Sequence, residues 1–367
     1  MKTRIQQRSN PIRGGGQKNQ DGELLDVSRS KRFLVALGGI VVALSALVIA
    51  VWPTLPLVFA ALILQGLTGG VLGPAIAAIS LGLVGHSAFA ERLGRNQRFA
   101  SAGAVTTTAV MGAIGYFLSY QAIFFASAAL VIPLLTALAR IRSTDIHFGR
   151  ACGKPDHDAP SPPARAQRLS LWNDCSLLTF AGSLFLFQFA NASVLPLAGE
   201  QLAYSAGTGA SLIVSALIIV PQIVVALSAP WAGRQAQSWG RRPLLLLGFG
   251  ALAVRALLFA VTSDPLLLIF IQLLDGVSGS TLGVLTALII ADLTNGTGRF
   301  NLAQGFVGTV AGIGASLSTT FFSLVAANFG GSIGFISIAG TALCAVIIVW
   351  VLMPETKPGS RSRLEQV

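Results

Sequence analysis

The chain has 367 residues, 53% of them hydrophobic and only 11% charged, with a formal net charge of +11 and a mean hydropathy of +0.72. Ordinary soluble proteins carry about 25% charged residues, and a soluble fold of this length has too little interior to hide so much apolar surface. Collagen-like, disordered and disulfide-stapled chains are excluded as well, because the 40 Gly follow no fixed period and there are only three Cys.

What is left is an integral membrane protein, and its elements follow in chain order. Residues 1–32 form a basic tail without the apolar run of a signal peptide. Ten charge-poor apolar stretches come next, at about 33–52, 57–85, 99–118, 121–139, 175–198, 209–232, 243–262, 266–291, 301–325 and 333–353. At 1.5 Å per residue each is long enough to cross a hydrocarbon core of about 30 Å as a helix. A β-barrel would show short alternating segments instead, and none is present. Only Arg255 and Asp275 carry charge inside any span.

Placing the N-terminus in the cytoplasm puts 24 of the 25 Lys and Arg into the tails and loops on that side, and none into loops on the other. This asymmetry predicts a multi-pass protein of the cell's inner (plasma) membrane with both termini cytoplasmic. The positive charge is then a matter of topology and of contact with anionic lipid, not of nucleic-acid binding. The polar stretch 140–174, with Pro155, Pro160, Pro162 and Pro163, is expected to be a cytoplasmic linker. It separates a first transmembrane bundle of four helices (33–139) from a second of six (175–353), with a C-terminal tail at 354–367.

The two bundles repeat one another. A shift of 210 residues lays Lys31–Gly73 over Arg241–Gly283 with 15 identities in 43 positions. The register keeps Gly38 on Gly248, Gly66 on Gly276, Gly69 on Gly279 and Gly73 on Gly283. Further on, Gly103 and Gly112 resemble Gly305 and Gly314. Such a parallel repeat gives both copies the same orientation in the membrane. The second half has two spans ahead of its repeated part and the first half has none, which predicts a six-plus-six arrangement lacking its first two helices.

The segment Gly233-Arg-Gln-Ala-Gln-Ser-Trp-Gly-Arg-Arg-Pro243 resembles the cytoplasmic signature loop of the major facilitator superfamily of secondary transporters, through Gly233, Gly240, Arg241 and Arg242. Gln237 stands where that family has Asp. A weaker copy runs through Gly22, Asp26, Lys31 and Arg32. The resemblance implies an all-α, two-bundle fold of about ten transmembrane helices, four plus six. It implies a transporter that moves a small solute by alternating access, driven by a coupling ion such as the proton. The glycine-proline element common in the family's drug–proton antiporters is not matched in span 99–118, which has Gly103, Gly112 and Gly115 but no Pro. The competing reading is a non-transporting relic or a membrane subunit whose partner chain covers the two absent helices.

In such a fold the cavity-lining spans are 57–85, 175–198 and 266–291. Their polar residues are the candidate substrate groups: Gln65 and Thr68, Gln188 and Asn191, then Gln272, Asp275 and Ser278. On a helix, Gln272, Asp275, Gly276, Gly279 and Gly283 share a stripe about 100° wide. Small residues mark close helix approach, so Asp275 is expected to face protein or cavity rather than lipid. Arg255 lies roughly 18 Å from one end of its span and Asp275 roughly 13–14 Å from the opposite face, so both sit near the midplane. An ion pair between them follows, because an unpaired charge there is costly.

No cofactor or metal site is expected. His147, Cys152, Asp156, His157 and Asp158 cluster in the linker without metal-ligand spacing, and His86, at a span end, is expected to be a surface histidine at headgroup level. Gly276-Val-Ser-Gly279 fits the Gly-x-Ser-Gly pattern of intramembrane serine proteases, but every His lies outside the spans and no Lys lies within them. The serine has no base, and the chain is not expected to be an enzyme.

Overall fold

The computed structural model describes residues 15–141, 151, 174–206 and 210–357, and every regular element among them is a helix. Helices close all their backbone hydrogen bonds within one segment, as a water-free environment demands. In chain order they are α1 (Gly15–Val51), α2 (Leu55–Phe117), α3 (Tyr120–Ala129) and α4 (Val131–Arg140). After the linker come α5 (Cys175–Asn191), α6 (Val194–Ala206), α7 (Ala210–Ser238) and α8 (Arg241–Val261). The last four are α9 (Pro265–Ile271), α10 (Leu273–Leu293), α11 (Phe300–Phe329) and α12 (Gly331–Leu352). The linker cluster His147, Cys152, Asp156, His157 and Asp158 lies outside the described residues.

Helix α2 has 63 residues, about 95 Å of straight helix, three times what a bilayer core accommodates. It is two spans. Gly85, at φ 70°, ψ 176°, breaks the helical path, a conformation open to glycine because it has no Cβ. Asn96 Nδ2 donates to Ser80 Oγ at 2.9 Å. Along an unbroken helix those residues would be about 24 Å apart, so the two arms, 55–84 and 86–117, fold back on each other. With α3–α4, α5–α6 and α9–α10 each forming one interrupted span, four spans among the described residues precede the linker and six follow it.

Two sequence expectations need correction. Residues 86–98, expected as a loop, are helical and open the second arm of α2; residues 233–238 are likewise the last turns of α7 rather than loop. Arg, Gln, Ala and Leu are good helix formers, so basic residues mark where the bilayer ends and not where the helix does. Helix α1 also begins well before the apolar stretch at 33, at Gly15.

Helix starts are set by local chemistry. Asp174 accepts from the backbone N–H groups of Ser176 and Leu177, both at 3.1 Å, and caps α5. Asp264 accepts from Leu266 N at 2.8 Å and Leu267 N at 3.2 Å and caps α9, with Pro265 at the first helical position.

The packed core is lopsided. One large cluster runs through α5, α7, α8, α10, α11 and α12 and reaches the first half only through residues of α2 such as Ala78, Leu81, Phe89 and Ala90. Phenylalanines interlock within it: Phe187 lies 4.9 Å from Phe249 and Phe189 5.0 Å from Phe322, ring centre to ring centre. The first bundle has two small clusters, one around Val35, Ala75 and Ile79 and one around Ala43, Ala46 and Ala128.

The halves meet along α7 and the second arm of α2. A Cβ on Gly94 would lie 2.7 Å from Ala229 O, and one on Gly233 would lie 2.6 Å from Ala90 O. The two glycines therefore allow the backbones to touch across the bundle interface.

Candidate functional site

Arg255 on α8 is almost fully buried, its side chain 3% exposed, and it is ion-paired through Nη1 to Asp275 Oδ1 on α10. The pair is embedded in amides. Arg255 Nη1 also donates to Gln272 Oε1 at 3.2 Å, Arg255 Nη2 donates to Asn191 Oδ1 on α5, and Gln272 Nε2 donates to Leu217 O on α7 at 3.1 Å. A guanidinium offers its donors in a fixed fork, and here Nη1 and Nη2 join three helices at one depth. Charge-assisted hydrogen bonds of this kind compensate for loss of water around a buried cation.

The two members of the pair differ in access. The Asp275 side chain is 30% exposed and lines a cavity of about 280 Å³ with Gln188, Asn191, Gln222, Ser278 and Thr286. Its apolar wall comes from Leu184, Phe187 and Val225. Among the described residues Asp275 is the one carboxylate on this cavity. Ser278, itself buried, donates to Gly248 O at 2.7 Å, so its hydroxyl proton is committed to helix packing.

Every residue on this cavity belongs to the second bundle. Gln188, Asn191, Asp275 and Ser278 come together there, and Gln272 supports them from behind. Gln65 and Thr68 do not join them. Thr68 donates to Leu64 O at 2.7 Å and turns its methyl group toward Gly38 on α1. Gln65 is half-buried on the first arm of α2 and does not line the cavity. Helix periodicity places a residue on a stripe but does not say which neighbour the stripe faces. Gln222 was missed, although it is the one amide in the apolar stretch 209–232, which was signal enough.

At the basic end of the bundles a second polar network joins residues far apart in sequence. Arg241 Nε donates to Asp292 Oδ2 at 2.7 Å and Arg241 Nη1 to Ala236 O at 2.8 Å, the latter satisfying a carbonyl in the last turn of α7. The Glu355 carboxylate accepts from Arg241 N at 2.8 Å and Arg242 N at 3.1 Å, which caps α8 from beyond the end of α12. Gly240, at φ 102°, sets the turn that presents those two N–H groups. Arg242 donates to Trp350 O near the end of α12. Arg241 is 5% exposed, so it packs within the protein and does not anchor at headgroups.

This network includes the first bundle. His86 Nε2 lies 3.0 Å from Asp292 Oδ1, its side chain 27% exposed, and Gln237 Nε2 donates to Ser87 O at 2.9 Å. His86 is therefore a contact between bundles and not a histidine lying free at headgroup level. Asp292 ends a long apolar span and was not singled out in the sequence; its role depends on Arg241 and His86 arriving from two other helices.

A family model described as Major Facilitator Superfamily matches residues 22–226 and 177–366. An uncharacterized MFS-type transporter of Mycobacterium tuberculosis H37Rv is 33% identical over 336 residues, 91% of this chain and 80% of the relative. The class B tetracycline resistance protein of Escherichia coli is 34% identical over 98 residues, 27% of this chain and 24% of that one. Among solved structures, the proton:xylose symporter XylE superposes with a TM-score of 0.68 at 14% identity, covering 92% of this chain and 83% of the symporter. The Escherichia coli fucose:proton symporter FucP superposes at 0.67 and 14% identity, covering 88% and 83%. At that identity the two symporters speak for the fold alone.

Proposed function

The chain belongs to the Major Facilitator Superfamily, and from that premise we propose that it carries a small polar solute across the membrane by alternating access, with the cavity at Asp275 as its binding site. The observation that carries this reading is the asymmetry of the midplane pair. Arg255 is buried and held by amides, whereas Asp275 opens onto the cavity. A structural ion pair has no use for an exposed face, and a membrane carboxylate that reaches a cavity is the expected form of a substrate or proton site.

The lining sets the ligand. Gln188, Asn191 and Gln222 offer both donors and acceptors, and the single carboxylate is balanced by Arg255, so the site suits a neutral, hydrogen-bonding solute. A proton is the natural coupling ion. Protonating Asp275 removes its hold on Arg255 and gives the same oxygen a donor for the solute, so loading and unloading are tied to one group.

Alternating access requires the bundles to part at one membrane face while closing at the other. The ties His86–Asp292 and Gln237–Ser87 hold the bundles together at the basic face, which the distribution of Lys and Arg assigns to the cytoplasm. In this reading they break and re-form once per cycle.

The test is uptake into vesicles containing the purified chain, across a panel of labelled neutral, cationic and anionic solutes with and without an imposed pH gradient. The expected result is saturable uptake of a neutral polar solute, lowered more than tenfold by Asp275→Asn and unaffected by Ser45→Ala. Uptake that is indifferent to Asp275→Asn overturns the site.

A further inference from the structure

We propose that the contact between His86 and Asp292 is a pH-operated latch: protonated His86 holds the two bundles together at the basic face, and its deprotonation lets them part. The consequence for transport rests on the alternating-access reading above, whereas the latch itself concerns only distance and pH.

The two sides of the contact are built differently. Asp292 is 2% exposed, and its carboxylate is fixed within the second bundle. Arg241 Nε donates to Oδ2 at 2.7 Å and Thr356 Oγ1 donates to the same oxygen at 3.4 Å. A guanidinium keeps its charge throughout the physiological range, so this half does not respond to protons. Oδ1 has a 3.4 Å bond from Arg241 Nη2 and faces the first bundle, where it meets His86 Nε2 at 3.0 Å. An imidazole is the side chain whose charge ordinarily changes between about pH 5 and 8. A permanent cation thus holds the carboxylate from one bundle, and a titratable one reaches it from the other.

Charge is what holds the His86 side. Nε2 is buried and makes no hydrogen bond, so its close approach to Oδ1 is Coulombic and is lost when the ring is neutral. The helices packed against α2 near His86 are α1, α7, α10 and α11. Their charged groups at the basic face are Arg32 on α1, Arg234 on α7, Asp292 on α10 and Arg299 at the start of α11. Arg241 and Glu355 stand behind Asp292, and Glu91 and Arg92 follow His86 on its own helix. Cations outnumber carboxylates in this set, so the proton on His86 depends on Asp292. Parting the bundles takes Asp292 away and releases the proton; by linkage, removing the proton favours parting.

The surroundings let the latch work. The His86 side chain is 27% exposed, which gives water access to the ring. His86 directly follows Gly85, whose φ of 70° breaks α2, and so stands at the bend between the two arms. The neighbouring tie, from Gln237 Nε2 to Ser87 O at 2.9 Å, joins two neutral groups and is the same at any pH. Acid in the cytoplasm closes the latch, so a cycle that delivers protons inward slows as they accumulate.

The test is a pulsed electron-spin distance measurement on the full chain in lipid nanodiscs. Nitroxides are placed at Ala137→Cys on α4 and Asn295→Cys after α10, both exposed, with Cys152, Cys175 and Cys344 each changed to Ser. The ratio of long to short separations should rise about tenfold between about pH 5.5 and about pH 8.5. His86→Gln and His86→Ala should each give one ratio at both pH values. Asp275→Asn should keep the response, which separates the latch from the midplane carboxylate. A parent whose separations ignore pH overturns the proposal, as does a response that survives both His86 changes or vanishes in Asp275→Asn. No solute is involved, so failure here is distinct from failure of the solute site.

Discussion

The two bundles carry related sequences in matched register and have opposite characters. Across the 210-residue shift Arg255 answers to Ser45 and Asp275 to Gln65. In the second bundle that pair of positions holds a charged network linking α5, α8 and α10. In the first, Ser45 donates to Val41 O of its own helix at 2.8 Å and Gln65 makes no such network. Almost all the largest buried side chains, Phe180, Phe249, Phe259, Phe300, Phe322 and Phe335 among them, belong to the second bundle. The first presents Leu62, Ile63, Leu67 and Val71 outward along one arm. A repeated backbone thus supplies a common frame; α5 and α7 cover Gly276, Gly279 and Gly314 and close the second copy around a polar site, whereas Gly66, Gly69 and Gly112 of the first copy face open space.

Core truncation should separate the bundles most strongly. Phe249 is fully buried against Phe187, and Phe249→Ala removes packing that costs about 3–5 kcal/mol to lose. Leu67→Ala, at a side chain 66% exposed, should cost less than about 0.5 kcal/mol. Thermal unfolding in one detergent compares them directly, and equal losses would mean that Leu67 is packed as tightly as Phe249.

Next in size is the midplane pair. Asp275→Ala strands a buried guanidinium and should cost about 3 kcal/mol, since Asn191 and Gln272 still hold it in part. Removing both charges, as Arg255→Leu with Asp275→Leu, should cost less than either single change. A double-mutant cycle measures the coupling; additive losses would break the pairing and leave Asp275 as an independent group. Gln65→Ala, at the matching position, should stay within about 0.5 kcal/mol of the parent.

Glycine replacement sharpens the comparison at backbone level. Gly276→Leu collides with Pro221 and Val224 on α7 and should destabilise by about 1–3 kcal/mol. Gly66→Leu enters open space and should be neutral in the isolated chain. Among the second bundle's contacts the smallest effect belongs to the basic-face cap: Glu355→Ala removes acceptors from two N-terminal N–H groups of α8 and should cost about 1 kcal/mol. Orientation is tested apart from stability: a cysteine at Ser205 should react with an impermeant thiol reagent added outside intact cells, and one at Ser161 should not. The reverse pattern would invert the topology.

Much of this is legible in the sequence. Hydropathy located the spans because the bilayer leaves a chain so few alternatives. The depths of Arg255 and Asp275 followed from counting residues, since helical rise is fixed. The glycine register revealed the repeat. Direction around each helix was a different matter. Thr68 and Gln65 looked like cavity residues on the same grounds as Gln188 and Asn191, yet Thr68 points at α1 and back to its own backbone. Gln222 looked incidental and lines the cavity.

Sequence by itself determined what depends on one helix at a time: span length, depth and the matched glycines of the two halves. Only the tertiary structure decided what depends on several helices meeting. It gathered the cavity wholly within the second bundle, made residues 86–98 a continuation of α2 rather than a loop, and brought His86 and Arg241 together on the carboxylate of Asp292. The physical reason is that a hydrocarbon environment acts on each segment separately and reads its length and polarity. Packing acts on pairs of surfaces, and the face a side chain shows to a neighbour is set by where that neighbour's own small residues allow it to come close.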